Sequence, residues 1–184
     1  KEEVEEKVRR GMYIHLRQGS ATRNVKALSK GVTKHNSHRL LFCTDDKHPM
    51  DIVEEGHINY NLNLAIQEGV DPITAIQMAT INIANCYQLK QVGGIAPGYI
   101  ADLIVFDDLN HIEPSIVFIN GKQVSKNGKV LFKTNKIENI HVINSVNVNV
   151  NEINLDLKFK NNHVKVMRLI ENNVITKEVH RTVT

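Results

Sequence analysis

Two adjacent carboxylates, Asp45 and Asp46, follow the short apolar run of residues 40–44. An apolar run of this length, bounded by polar residues, predicts a buried strand of the kind found in parallel sheets. The carboxylates would then lie at the carboxyl end of that strand, where α/β barrels place their catalytic groups, and could accept a proton there. The alternative is that Asp45 caps the next turn and Asp46 is solvated, as is common for aspartates in loops.

The elements that would position these carboxylates form a strand, a helix and a strand. Residues 12–16 predict the first strand, and residues 21–31 predict a helix with Val25, Leu28 and Val32 on one face. The apolar run of residues 40–44 is the second strand. Short connections between these elements indicate a βαβ crossover, which places the two strands parallel in one sheet.

Further helical patterns flank this unit. Residues 1–10 predict an amphipathic helix, and apolar residues recur at helical spacing over residues 50–69. Asp71 and Pro72 predict the next helix start, with aspartate as the N-cap and proline in the first helical position. That helix is expected to continue to about Leu89.

The pattern changes at Gly93. The strand predicted over residues 101–107 is expected to be buried, and Asn-Gly pairs at positions 120–121 and 127–128 predict two hairpins. Valine and isoleucine alternate with asparagine over residues 137–157, which predicts a strand with Val148 facing a core. A last hairpin is predicted around Asn172 and Asn173. The fold class is therefore α/β plus all-β, divided into residues 1–92 and 93–184.

Composition narrows the choice of function. The 184 residues are 41% hydrophobic and carry a net charge of +3, without a lysine or arginine stripe that would indicate nucleic-acid binding. No apolar run is long enough to cross a bilayer. The two cysteines, Cys43 and Cys86, are widely spaced, which predicts buried, reduced thiols and a cytoplasmic protein. Because the chain begins at Lys1 within a helical pattern, we expect it to be an excised segment.

Five segments carry a resemblance to a known family. They are Arg10–Ile14 with Arg17–Ala21, the Phe42–Pro49 stretch that contains both aspartates, Glu55–Ile58, Gly69–Pro72, and the Pro97-Gly98 turn followed by Ala101-Asp102-Leu103. Together they resemble the amidohydrolase superfamily and, within it, the adenine deaminases. The resemblance covers residues 3–128 and fades in the asparagine-rich tail.

The resemblance implies a fold and a catalytic residue. Residues 1–92 would be the C-terminal part of a metal-dependent (β/α)8 barrel, with its seventh and eighth strands at residues 12–16 and 40–44, and residues 93–184 would be a β-sandwich portion. Asp45 would be the eighth-strand aspartate that binds the metal and transfers the proton. If the register differs by one residue, Asp46 would take this role, because adjacent positions on an extended chain point to opposite sides.

The resemblance also implies the remaining parts of the site. Asp46, His48, Arg17 and Ser20 would contact the substrate, adenine, and His57 is a further residue that could line the site. The cofactor would be a divalent metal, a binuclear manganese or iron centre. The superfamily's His-x-His motif is absent from this sequence, so the other ligands would lie outside the chain, in the remainder of the same polypeptide.

The function implied is part of an adenine deaminase of purine salvage, with the isolated segment inactive and a homo-oligomer compatible with the sequence. One alternative is another amidohydrolase, acting on a cyclic amide or amidine. The other is a non-catalytic interaction module in which Asp45 is structural. Neither nucleic acid nor membrane is expected as a partner.

Overall fold

The computed structural model describes residues 2–133 and 142–183. The α-helices in these ranges are α1 (Glu2–Arg9), α2 (Val25–Ser29), α3 (Pro49–Glu55), α4 (Ile58–Gln67), α5 (Pro72–Ala79) and α6 (Ile81–Cys86). The strands are β1 (Ile14–Arg17), β2 (Leu40–Cys43), β3 (Leu103–Val105), β4 (Ile116–Ile119), β5 (Lys122–Lys126), β6 (Lys129–Val130), β7 (His163–Leu169) and β8 (Thr176–Thr182). Short 3-10 helices lie at Ser37–Arg39 and Val150–Glu152.

The predicted βαβ crossover is confirmed. Strands β1 and β2 pair in parallel, with Ile14 opposite Leu40 and Arg17 opposite Cys43, and α2 lies in the connection between them. Leu40, Leu41 and Phe42 of β2 are buried. The run of consecutive apolar residues therefore marks a strand covered on both faces.

One hydrophobic core holds this first part of the chain together. Helices α1, α2, α4 and α5 pack their apolar side chains against β1 and β2, and Ile112 reaches the same core from the loop between β3 and β4. The buried members of the core are Val4, Leu16, Val25, Leu40, Phe42, Leu62, Leu64, Ala65, Val70, Ala75, Met78 and Ile112. This packing holds the carboxyl ends of β1 and β2 side by side.

Three predicted helices are shorter than the sequence indicated. Helix α2 begins only at Val25, because residues 18–23 form a turn in which Gly19 N–H donates to the Thr22 carbonyl at 2.9 Å. The predicted helix over residues 50–69 breaks at Gly56, whose φ of 101° lies in the region that favours glycine. The helix start at Asp71 and Pro72 is confirmed, but Thr80 separates α5 from α6.

Strands β3 to β6 form an antiparallel sheet in chain order, with a bulge between Val117 and Phe118. Both predicted hairpins are confirmed, since Asn120, Gly121, Asn127 and Gly128 all have positive φ. The predicted burial of the strand over residues 101–107 is wrong. Ile104 is 50% exposed, because no described element covers that side of β3.

The prediction of a strand over residues 137–157 is also wrong for residues 142–157, which the structure describes. Residues 137–141 lie outside the described residues, and residues 142–157 form no strand. Val148, expected in a core, is 60% exposed. Asparagine side chains bond the nearby backbone instead, as in Asn147 Nδ2–H to the Asn144 carbonyl at 3.0 Å. Such local bonds compete with strand pairing.

The final hairpin is confirmed. Strands β7 and β8 pair antiparallel, with His163 opposite Thr182 and Leu169 opposite Thr176, and Asn172 in the turn has a φ of 57°. Both cysteines are free and half-buried rather than fully buried. Within residues 2–133 and 142–183, no helix has the length and apolar character needed to cross a membrane.

Candidate active site

Two loops meet at the carboxyl ends of the parallel strands. The first loop, residues 18–24, follows β1, and the second loop, residues 44–48, follows β2. Gln18 N–H donates to the Cys43 carbonyl at 3.0 Å, so the strand pairing continues to the base of both loops. The structure therefore brings Arg17, Ser20, Asp45, Asp46 and His48 to one edge of the fold, as predicted from their positions after the strands.

Asp45 is the open carboxylate of the pair. Its side chain is 49% exposed. It contacts Arg17, whose Nη1 lies 3.4 Å from Asp45 Oδ2. A pair this long and this exposed contributes little stability. The φ of Asp45 is 51°, in the left-handed region, so the chain turns sharply where β2 ends. Aspartate tolerates this conformation better than most residues.

Asp46, in contrast, has both carboxylate oxygens engaged by the first loop. Ala21 N–H donates to Oδ2 at 2.9 Å, and the Thr22 hydroxyl donates to Oδ1 at 3.0 Å. Burial raises the pKa of Asp46, but these two hydrogen bonds, together with one from its own backbone and the charge of Arg17, place the pKa below its usual range. Asp46 is therefore held as a charged carboxylate between the two loops.

The first loop leaves room for this carboxylate only because residue 19 is glycine. A Cβ on Gly19 would lie 1.5 Å from Asp46 Oδ1, which is far inside any possible contact distance. The sequence contained Gly19 within the resembling segment, but nothing in its spacing indicated that it faces Asp46.

Ser20 and His48 connect the loops a second time. The Ser20 hydroxyl accepts a hydrogen bond from His48 N–H at 2.8 Å and donates to the carboxylate of Asp51 in α3. His48 is the N-cap residue of α3, and its ring makes no capping bond. The ring of His48 is exposed at the edge where Asp45 lies.

A buried ionic network beneath the second loop was not predicted from the sequence. The Lys47 side chain is only 1% exposed, pairs with Glu55 Oε2, and places Nζ 4.5 Å from the centroid of the Tyr60 ring. Arg23 Nη1 reaches the other oxygen of Glu55 at 2.8 Å. Burial raises the pKa of Glu55, but the hydrogen bonds from Lys47 and Arg23 outweigh it and lower the pKa overall. The burial of Lys47 follows from the packing of α3 and α4, which supply Glu55 and Tyr60.

Two neighbouring groups complete the site. Thr44 Oγ1 lies 3.3 Å from His57 Nε2, which brings the ring of His57 to the base of the second loop. Burial, and secondarily the charge of Asp45, raises the pKa of the Cys43 thiol, so Cys43 is held as a thiol and not as a nucleophilic thiolate.

Asp45 fits the role of a single metal ligand, because its carboxylate is exposed and only weakly paired. Across residues 2–133 and 142–183, no three His, Cys, Asp or Glu side chains lie close enough together to hold a metal ion. A catalytic metal site normally uses three protein ligands, so Asp45 alone does not make one.

The chain is similar to known proteins over most of its length. Residues 3–131 match the model of the amidohydrolase family. Adenine deaminase 2 of Carboxydothermus hydrogenoformans is 42% identical over 179 residues, which is 97% of this chain and 31% of that protein. Adenine deaminase of Clostridium acetobutylicum is 42% identical over 184 residues, which is 99% of this chain and 32% of that protein. The chain thus spans about a third of the length of these relatives.

A solved structure supports the fold. A β-aspartyl dipeptidase from the keratin-degrading thermophile Fervidobacterium islandicum AW-1 superposes with a TM-score of 0.57 at 22% identity. The match covers 74% of this chain and 37% of the dipeptidase chain. At this level of identity the likeness concerns the fold alone.

Proposed function

Because this chain belongs to the amidohydrolase family, we propose that it is part of an adenine deaminase, which hydrolyses adenine to hypoxanthine and ammonia. Support comes from two relatives named adenine deaminase, each 42% identical over nearly the whole chain. The observation that carries the proposal is the open Asp45 carboxylate at the end of a buried parallel strand. That is the position from which barrel enzymes present catalytic groups.

The proposal includes a place for the chain in the larger fold. Residues 1–92 would form the C-terminal part of a (β/α)8 barrel, with β1 and β2 as its seventh and eighth strands, and residues 93–184 would form a β-sandwich portion. The parallel β1–β2 pair with its helical crossover supports the first assignment. The antiparallel β3–β6 sheet supports the second.

Asp45 is the proposed catalytic residue and the proposed metal ligand of this chain. A divalent metal, when bound, would make a water molecule more acidic. The Asp45 carboxylate accepts a proton from the water whose oxygen bonds to C6 of adenine, and then delivers it to the amino group, which leaves as ammonia when the C6–N bond breaks. Arg17, whose Nη1 lies 3.4 Å from Asp45 Oδ2, is the charged group that contacts this carboxylate.

The edge around Asp45 would bind the purine. Arg17 presents a cation and His48 an exposed ring, and both suit a heteroaromatic base with ring nitrogens. The Ser20 hydroxyl already donates to Asp51 and accepts from His48 N–H, so it would contact the base as a further acceptor. Asp46 was also predicted to contact the substrate. Such a contact would compete with the hydrogen bonds that its carboxylate already accepts from Ala21 and Thr22. We further propose that a binuclear manganese or iron centre receives its other ligands from the remainder of the polypeptide. A cytoplasmic homo-oligomer that serves purine salvage would fit this assignment.

Replacement of Asp45 by asparagine in the full-length enzyme tests the proposal. Asp45→Asn keeps the shape of the side chain and removes the proton acceptor, so turnover of adenine should fall by about 10²- to 10⁴-fold. Asp46→Asn is the matched variant and should cost less. The measurement is steady-state kinetics with thermal melting as a check on folding. Unchanged turnover by Asp45→Asn would refute the role of Asp45. A larger effect of Asp46→Asn would show that Asp46, and not Asp45, has this role.

The 184-residue chain alone gives a second arm of the same test. Because the part of the chain that the structure describes groups no further metal ligands with Asp45, we expect weak binding of Mn²⁺ and no adenine hydrolysis. Measurable hydrolysis by this chain would show that the site is complete within it.

A further inference from the structure

Asp45 is the open side chain in a segment whose next three residues are each fixed to another part of the fold. Asp46 accepts two hydrogen bonds from the first loop, the Lys47 side chain is buried against Glu55 and Tyr60, and His48 N–H is bound by Ser20. The carboxylate of Asp45 is left to solvent apart from its long contact with Arg17. The direction in which Asp45 points is therefore set by its neighbours.

The backbone at Asp45 needs such support. A φ of 51° is unfavourable for residues with a Cβ and persists only where the surrounding structure enforces it. Thr44, on one side, lies 3.3 Å from His57 through its hydroxyl. Asp46, on the other side, is fixed to the turn formed by Gly19 and Thr22.

From this geometry we propose that Asp46 is a positioning residue that clasps the first loop and so holds Asp45 in its catalytic orientation. This inference rests on the proposed function of Asp45. Asp46 would then act on the reaction by orienting Asp45, and not by contacting the substrate directly. The clasp consists of the Asp46 carboxylate, Ala21 N–H, the Thr22 hydroxyl and the Cβ-free space at Gly19.

A small displacement is enough to matter. A general base acts only within hydrogen-bond reach of the proton that it removes, and a misplacement of about 1 Å can cost about 10²-fold in rate. Without the Asp46 carboxylate, the first loop and residue 45 would relax independently. The reaction step would then slow more than adenine binding weakens, because Ser20 keeps its own hydrogen bonds to His48 N–H and Asp51.

The first experiment compares Asp46→Asn with Asp46→Ala in the full-length enzyme. An asparagine can accept from Ala21 N–H through Oδ1 and donate to the Thr22 oxygen through Nδ2, so it keeps the clasp and loses only the charge. We expect kcat within about threefold of wild type for Asp46→Asn and a decrease of about 10- to 100-fold for Asp46→Ala, with KM nearly unchanged in both.

Asp108→Ala is the matched control, because Asp108 is also a loop carboxylate bonded to a nearby backbone amide, that of Asn110 at 2.8 Å, and lies in a different loop. It should leave kcat and KM unchanged. Equal losses of kcat in Asp46→Asn and Asp46→Ala would show that the charge itself acts, and a change mainly in KM would show direct substrate contact. Either result would overturn the positioning role.

The second experiment measures coupling between Gly19 and Asp46 without reference to adenine. A Cβ at residue 19 would collide with Asp46 Oδ1, so Gly19→Ala should lower Tm in the wild-type background. In the Asp46→Ala background the same change should cost clearly less, because the colliding oxygen is gone. Additive effects on Tm would show that residues 19 and 46 do not form a clasp.

The two experiments separate this inference from the function on which it rests. Failure of the wild-type enzyme to hydrolyse adenine would refute the proposed function and this assignment together. Normal hydrolysis with equally damaged Asp46→Asn and Asp46→Ala variants, or with additive Tm effects, would refute this assignment alone.

Discussion

The first part of the chain and its tail have similarly apolar stretches but bury them very differently. Over the described residues, the buried hydrophobic side chains come from positions 4–84, and Ile112 is the exception. Residues 142–183 contain no buried side chain, although valine, leucine and isoleucine recur there. Leu40 in β2 is fully buried, whereas Leu155 is 83% exposed.

This difference shows that an apolar pattern specifies a core only where a second surface is available to cover it. Helices from the same stretch of sequence cover the strands β1 and β2, so the apolar side chains of these strands are buried. The tail has no such partner among the described residues. Extended exposed apolar surface usually marks an interface.

The largest expected contrast comes from one substitution made in both regions. Leu40→Ala should destabilise the 184-residue chain by about 2–5 kcal/mol, because it removes buried methyl groups and leaves a cavity. Leu155→Ala should change the free energy of unfolding by less than about 0.5 kcal/mol. Urea denaturation of both variants measures the difference. Similar losses would mean that the tail has a core of its own.

A smaller effect is expected at the link between the regions. Asn63 in α4 donates to the Ile112 carbonyl at 3.2 Å and accepts from Ile112 N–H at 2.7 Å. Asn63→Ala would leave both buried backbone groups unpaired and should cost about 1–3 kcal/mol. Asn147→Ala is the control, since its hydrogen bond is local and exposed. Equal denaturation midpoints for these two variants would contradict the role of Asn63 in anchoring Ile112.

The smallest effect is expected at the cap of α5. The hydrogen bond from Thr74 N–H lowers the pKa of Asp71, so its charge stabilises the fold above the usual aspartate range. This contribution should decrease as pH falls through the lowered folded value. Asp71→Asn should therefore show a small Tm deficit at neutral pH that starts to decrease below about pH 4 and disappears only below the lowered folded pKa. Thermal melts across pH measure it.

The tail again offers the control for this cap. Asn149 accepts a hydrogen bond from Asn151 N–H at the short helix Val150–Glu152, where no side chain is buried. Asn149→Ala should leave Tm unchanged at every pH. A Tm deficit of Asp71→Asn that does not vary with pH would show that the shape of the Asp71 side chain, and not its charge, stabilises the cap.

Features that depend on neighbouring residues were predictable from the sequence. The Asp71–Pro72 helix start, the Asn-Gly turns and the final hairpin follow from the conformations that these residues prefer over a few positions. The buried β2 strand followed from its run of apolar residues, and the parallel pairing followed from the short helical connection. The family resemblance that pointed to Asp45 also depends on residues close together in the chain.

The tertiary structure alone decided which groups are open and which are engaged. Alternation on an extended strand could not separate Asp45 from Asp46, because the chain leaves the extended conformation at Asp45. The partners of Asp46 lie 24 and 25 positions away, and those of Lys47 belong to α3 and α4. Burial of Lys47 and exposure of Val148 both run against residue type. Each depends on whether a distant part of the chain packs against the residue, and that is a property of the folded structure and not of the local sequence.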